Sequence, residues 1–308
     1  MALPLPSWFA PSFAFVFGAL WGSFLNVVIV RLPRDESIVF PASHCVACGA
    51  KIRPYDNIPI FSYLILQGRC RACGAAFSPR YALVELISAM AAWGCVQAFG
   101  LSWAALGFYV FLALLLAIAC IDVEHWIIPH ELSWSGIAVG LLFSFVNPRA
   151  RPLDAILGAG LAWAGFTLLS WLGEKIFKKE ALGLGDRWLL AMESAFLGYT
   201  AILPLVLLSS IQGTIFGLAL IALGKSETGE RPEKEPAAAE PKVPETLGEV
   251  AKDSSKEEAE EDEEEDWVPP KHALPFGPFL ALAGVEILFF GPQLLQWYER
   301  TIARLLVR

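Results

Sequence analysis

Charge is scarce along most of this chain. Lysine, arginine, aspartate and glutamate make up only 18% of its 308 residues, while 56% are hydrophobic. Mean hydropathy is +0.53. That value argues against a soluble globular protein, because a lipid-facing surface is what supplies such an excess of apolar side chains. Short alternating strands, the mark of a membrane barrel, are also missing. Long apolar segments point instead to helices, which satisfy their own backbone hydrogen bonds inside a bilayer. The expected fold is an all-α polytopic membrane protein.

A broadly basic surface is absent too, so no nucleic-acid partner is expected. The net charge of −8 misleads in the other direction. Residues 225–272 hold 17 of the 31 acidic and 7 of the 23 basic residues, which leaves the rest at +2. The low pI therefore describes an acidic insertion and not a surface for acidic partners. This stretch is rich in Glu, Lys, Ala and Pro and ends in the run Glu257–Asp266. Like charges repel there and few apolar groups exist to bury, so a disordered, solvated loop is expected, with docking or regulation as the rival role.

No basic region precedes the first apolar run, roughly 11–30, and no clear small-residue cleavage site follows it. That span is expected to be retained and not removed as a secretory signal. Further spans are expected at 81–99, 103–121, 131–147, 154–172 and 276–293. The stretch 188–222 is too long for one straight crossing of a bilayer about 30 Å thick. A break at Gly198-Tyr-Thr200 or at Pro204 would divide it, for about eight transmembrane helices in all.

Basic residues concentrate in the loop 31–80 (Arg31, Arg34, Lys51, Arg53, Arg69, Arg71, Arg80) and in 173–187 (Lys175, Lys178, Lys179, Arg187), while 100–102 carry no charge. The positive-inside bias puts both basic loops in the cytoplasm and both chain ends outside. Arg149, Arg151, Arg300, Arg304 and Arg308 then fall on the outer side as exceptions. The expected organisation is a first transmembrane helix (1–30), a cytoplasmic loop (31–80), a transmembrane core (81–224), a cytoplasmic acidic insertion (225–272), and a last transmembrane helix with its tail (273–308).

Cysteine is sparse, at six residues, yet four form two C-x2-C pairs, Cys45/Cys48 and Cys70/Cys73, each followed by glycine. Four thiolates suit tetrahedral zinc and leave no open position, so the metal would be structural. Disulfides are disfavoured in a reducing cytoplasm, and redox use or no metal at all are the other rivals. His44 reads as a neighbour of the site and not a ligand. Cys95 and Cys120 fall in apolar spans and read as core.

Two aspartates remain. Asp122 follows an apolar run and precedes Ile128-Pro129, and Asp186 closes Gly183-Leu-Gly-Asp186 before another such run. Carboxylates at that depth are costly and usually functional. On the charge map both emerge on the cytoplasmic side. Two carboxylates sharing one proton can activate water and polarise an amide. The residues alone leave three readings open: a catalytic pair, an ion or proton pathway, and structural helix caps or anchors.

Together the motifs resemble the bacterial prepilin peptidase family, also called type IV leader peptidases, aspartic peptidases with a Gly-x-Gly-Asp motif. The resemblance rests on Gly22-Ser-Phe-Leu-Asn26 through Arg31-Leu-Pro33, and on the cysteine pairs enclosing Tyr55-Asp-Asn57-Ile-Pro59 and Ser62-Tyr63-Leu64. It continues through Arg80-Tyr81-Ala-Leu-Val-Glu85, both aspartate motifs, and Leu274-Pro-Phe-Gly-Pro-Phe279. It covers nearly the whole chain apart from the acidic insertion. Two departures stand out: His130 where an acidic or amide residue is usual, and Arg187-Trp188 where a lysine commonly sits two places after the aspartate.

The resemblance implies a multi-pass enzyme of the bacterial inner membrane. It would remove basic leaders, after glycine, from type IV prepilins or type II secretion pseudopilins, with Asp122 and Asp186 catalytic. It also implies methylation of the new N-terminus with S-adenosylmethionine, associated with the loop 31–80, where 45–80 and Glu85 are candidate contributors and the cofactor-binding residues are unknown. Membrane lipids are the other expected partners, and a homo-oligomer is compatible with the sequence. The rival readings are a catalytically inactive pilus or secretion assembly factor that binds prepilins, and a small-ion transporter.

Overall fold

The computed structural model describes residues 6–177, 183–223 and 274–306. The expected insertion at 225–272, Lys178, Lys179 and Arg308 lie outside the described residues, as do the side chains of Arg300 and Arg304. The chain divides into two units, Met1–Gly213 with Pro275–Arg308, and Thr214–Leu274. The paired cysteines and the two aspartates all belong to the first unit.

The described residues form helices without named strands: α1 (Phe9–Arg31), a short α2 (Phe61–Ile65), α3 (Arg80–Phe99), α4 (Trp103–His125), α5 (His130–Phe143), α6 (Pro152–Phe177), α7 (Asp186–Leu197), α8 (Ile202–Ala222) and α9 (Gly277–Leu306). Eight helices thus stand where eight spans were expected. Among the described residues only six helices, α1, α3, α4, α6, α8 and α9, are long and apolar enough to cross a membrane. At 1.5 Å per residue, α5 is about 21 Å long and α7 about 18 Å. Both are too short for a bilayer core of about 30 Å. For α7 the reason is visible in its burial, because every residue from Leu189 to Leu197 is buried. A helix enclosed by other helices has its polar backbone ends shielded from lipid and need not reach either surface.

The long apolar stretch breaks at Gly198, whose φ of +85° suits a residue without a Cβ. A 3-10 turn, Tyr199–Ala201, then leads into α8. Pro204 does not break the helix. It sits in the first turn of α8, where no carbonyl waits for its missing N–H.

α4 is central. Its Phe108, Phe111, Leu115, Ile118 and Ile121 are fully buried. Phe111 stacks on Phe196 of α7 at 4.8 Å, and Phe108 meets Phe143 of α5 edge-on at 5.1 Å. α1 docks closely on α3 through Gly18 and Gly22, a spacing that lets membrane helices approach backbone to backbone. A Cβ on Gly18 would stand 2.6 Å from Ser88 O, and one on Gly22 would stand 2.7 Å from Glu85 Cα. Ser88 ties the three helices together, donating to Gly18 O at 2.7 Å and bonding the Tyr109 hydroxyl at 2.8 Å. The last turn of α1 is closed by Arg31, which donates to Ser37 O and Pro41 O at 2.9 and 2.7 Å.

Candidate aspartate site and cysteine module

Asp122 lies in the last turn of α4, and Asp186 is the first residue of α7. They are 5% and 7% exposed, so both carboxyls are nearly shut off from solvent. The structure brings them together, since the charge of Asp122 acts on Asp186. Each faces a glycine N–H: Asp122 that of Gly277 at the start of α9, and Asp186 that of Gly183 in its own loop. Three segments distant in sequence therefore converge here.

Close approach dictates the glycines. A Cβ on Gly277 would overlap Asp122 Oδ2, and one on Gly185 would stand 2.7 Å from Ile128 Cβ. Ile128 is thus wedged between the Asp186 loop and the start of α9. After it, Pro129 is extended and launches α5. α4 is stopped just past Asp122 by Trp126, at φ +59°, whose N–H returns to Asp122 O at 2.9 Å.

The two departures from the family pattern meet in space. His130 stacks on Trp134 at 5.5 Å, Trp134 meets Trp188 edge-on at 5.6 Å, and Trp188 packs on Trp163 at 5.7 Å. Arg187 folds back to donate to Leu184 O at 3.1 Å and to Thr167 Oγ1 at 3.5 Å. It braces the Gly183–Asp186 loop against α6.

Glu193 was not anticipated from the sequence. It lies two turns below Asp186 on α7, is fully buried, and neither carboxyl oxygen has a hydrogen-bond partner among the described residues. Its side chain abuts Gly284 of α9, where an added Cβ would stand 2.9 Å from Oε1. An unsatisfied buried polar group costs stability. Glu193→Leu is therefore expected to raise the thermal unfolding midpoint of the purified protein, by the equivalent of roughly 1–3 kcal/mol. A lowered midpoint would show that the carboxyl has a partner that stabilises the fold.

The cysteines fold as an internal repeat. Cys45 N–H donates to Ala50 O at 2.9 Å and Gly49 N–H to Cys45 O at 2.8 Å; Cys70 N–H donates to Ala75 O at 2.8 Å and Gly74 N–H to Cys70 O at 2.9 Å. Isolated bridges, His44 to Lys51 and Arg69 to Ala76, close the two knuckles. Gly49 and Gly74 have φ of +69° and +73° with open space around them, so backbone conformation and not crowding selects glycine.

All four Sγ atoms lie within 4.8 Å of one another, and Cys45 and Cys73 stand at 3.9 Å. A tetrahedron of thiolates about 2.3 Å from one ion has sulfurs roughly 3.8 Å apart. The donor set and spacing fit a closed metal site, and the distances are far beyond a disulfide of about 2.05 Å. Backbone N–H groups of Cys73 and Ala72 draw the Cys70 thiol down to about 7, which eases thiolate formation near neutrality. His44 is turned to Ala42 O at 3.2 Å and is no part of the cluster. Cys95 is buried and Cys120 half-buried, as core residues would be.

The module is pinned at its edges. Arg71, inside the second knuckle, grips Asp56 with Nε at 3.0 Å from both carboxylate oxygens. That grip holds the Asp56 carboxyl below its usual range. Arg80, opening α3, pairs with Glu124, two residues from Asp122. Between the module and the facing ends of α1 and α3 lies a cavity of about 920 Å³.

A family model described as Bacterial Peptidase A24 N-terminal domain matches residues 16–99, and one described as Type IV leader peptidase family matches residues 109–218. Curated relatives match almost end to end. One from Myxococcus xanthus is 39% identical, covering 98% of this chain and 97% of the relative. Relatives from Burkholderia pseudomallei and Pseudomonas aeruginosa are each 32% identical, covering 93% and 91% of this chain and 87% and 90% of the relatives. All three are named prepilin leader peptidase/N-methyltransferase. No solved structure matches this chain.

Proposed function

We propose a function for a chain that belongs to the type IV leader peptidase family: it is a prepilin leader peptidase and N-methyltransferase, with Asp122 and Asp186 as the peptidase pair. Its substrates are type IV prepilins or type II secretion pseudopilins, whose basic leaders are removed after glycine beside the cytoplasmic face of the inner membrane. The observation that carries the peptidase reading is the meeting of two buried carboxyls from α4 and α7.

Two buried carboxyls whose charges act on one another keep one proton between them, because like charges resist joint ionisation. The ionised member takes a proton from water as its oxygen attacks the scissile carbonyl. The protonated member donates to that carbonyl's oxygen. The resulting diol collapses, the C–N bond breaks with its electrons going to nitrogen, and the pair returns a proton to the leaving amine. Gly277 and Gly183 aim their N–H groups at the two carboxyls and hold their orientation.

The cysteine module supports a structural zinc, with Cys45, Cys48, Cys70 and Cys73 as its ligands. When bound, the ion ties the two knuckles together and contributes folding free energy, with no position left for chemistry. S-adenosylmethionine is the methyl donor for the second activity.

The test is incubation of the purified full-length protein with a labelled prepilin, with and without S-adenosylmethionine, followed by mass analysis of the mature N-terminus. Cleavage after glycine in both samples, and methylation only with the donor, is the expected result; an intact leader would refute the peptidase. Gly277→Ala provides a finer check. Its methyl group must displace Asp122, and small misplacements of reacting groups cost on the order of 100-fold. Cleavage by this variant is expected to slow by about that factor, with the helical circular dichroism unchanged.

A further inference from the structure

Between the two cysteine knuckles the chain carries an apolar segment that the chemistry above leaves unused. From Asn57 to Gly68 no residue is charged. The short helix α2 presents Phe61, Leu64 and Ile65 outward, 64%, 65% and 74% exposed, with Ile58 exposed beside them. Its other face, with Ser62, Tyr63 and Leu66, lines the cavity beside the module. Bare apolar side chains grouped on one face mark a surface that something apolar covers.

The height of α2 along its neighbours shows what that is. Ile60 N–H donates to Glu85 Oε2 at 2.7 Å. Glu85 stands five residues past Arg80, the start of α3, or about 7.5 Å along it. Its Cα packs on Gly22, nine residues or about 13.5 Å before Arg31 at the end of α1. The turn that launches α2 thus lies against the flanks of two spanning helices and not beyond their ends. Exposed side chains of α1 and α3 at this level include Trp21, Phe24, Leu83 and Leu86, all apolar.

The backbone is arranged as lipid requires, with its donors used inside the protein. Ile58 N–H goes to Ser62 Oγ at 2.9 Å, Phe61 N–H to Pro59 O at 2.6 Å, and those of Ser62 and Leu64 to Ile58 O and Ile60 O at 3.0 and 3.1 Å. Pro59 has no N–H to place. The tight turn forces a φ of +65° on Ile60, a strained value for a β-branched residue, and the buried Glu85 carboxyl holds it there. Exposed arginines, Arg53 and Arg69, flank the segment, and their long side chains suit lipid phosphates.

We propose that α2, with the turn 58–60 before it, is embedded in the lipid leaflet on its own side of the membrane and anchors the cysteine module to the bilayer. Its partner is the boundary between acyl chains and headgroups. The anchor fixes the height of the module against α1 and α3, and it is independent of the reactions proposed above.

The test uses the full-length protein in vesicles of phosphatidylcholine and phosphatidylglycerol. A ketone-bearing amino acid replaces Leu64 and carries a nitroxide, which leaves the cysteines untouched. A second protein carries the same label in place of Glu36, in the charged run just past α1. Spin relaxation by oxygen, which partitions into lipid, is compared with relaxation by a water-soluble nickel chelate. The label at Leu64 is expected to respond to oxygen and be shielded from nickel, and the label at Glu36 to show the reverse. Nickel access at Leu64 equal to that at Glu36 would overturn the anchor. So would shielding from both reagents, which would mean that a second copy of the chain covers α2. Leu64→Asp together with Ile65→Asp is expected to raise proteolysis within 58–66 in vesicles by about tenfold or more, the scale of two apolar side chains losing their burial. If that variant resists protease as the wild type does, the anchor is likewise overturned.

Discussion

A double Asp122→Asn, Asp186→Asn variant is expected to lose leader cleavage, by at least about a thousandfold, measured as processed prepilin per enzyme over time. Asparagine keeps the shape and the glycine N–H contacts but cannot take up or hand over a proton. Each single variant should lose nearly as much as the double, because two groups that share one proton act as a unit and their losses do not add. Methylation of a peptide that already has the mature N-terminus should survive in the double variant, since methyl transfer needs no amide bond broken and so makes no use of the aspartate pair. Full cleavage by the double variant would remove both aspartates from the mechanism. Cleavage lost in only one single variant would mean that the partner merely tunes or caps.

Loss of the metal should have an effect of similar size on the other activity. Elemental analysis of a clean, untagged sample is expected to give about one zinc per chain. Isolated zinc-binding peptides draw roughly 10–16 kcal/mol of folding free energy from their ion. The two knuckles of the repeat 44–77 are each closed by a single isolated bridge, with no strand to reinforce them. Chelation, or Cys45→Ser together with Cys70→Ser, is therefore expected to open this segment to limited proteolysis and to abolish methylation. Cleavage of the leader should persist, since Asp122 and Asp186 are set by α4, α7 and α9. A metal-free sample with an intact, protease-resistant loop would contradict the zinc assignment.

Apolar runs separated by basic loops mark the helices in the amino-acid sequence, because length and hydropathy are local properties of the chain. The knuckles are legible there as well: C-x2-C-Gly written twice specifies a turn, a positive φ and a pair of thiolates within five residues. Other features are hidden because they arise between segments. The break at Gly198 and not at Pro204 depends on where α8 begins. The shortness of α7 goes with its enclosure, which no window of residues reports. Glu193 looks like an ordinary charge on a helix, and its complete burial against Gly284 follows from how α7 meets α9.

By itself the sequence determined that this chain lives in a membrane, that it carries a four-cysteine module, and which two aspartates stand at the ends of apolar helices. These are matters of composition and short-range spacing, which the covalent chain controls directly. Only the tertiary structure decided that Asp122 and Asp186 share one place, that Gly277 of a distant helix presses against the first of them, and that Glu193 is sealed between α7 and α9. The physical reason is that reactivity depends on distances of a few ångströms between side chains far apart in sequence, and close packing of whole helices sets those distances.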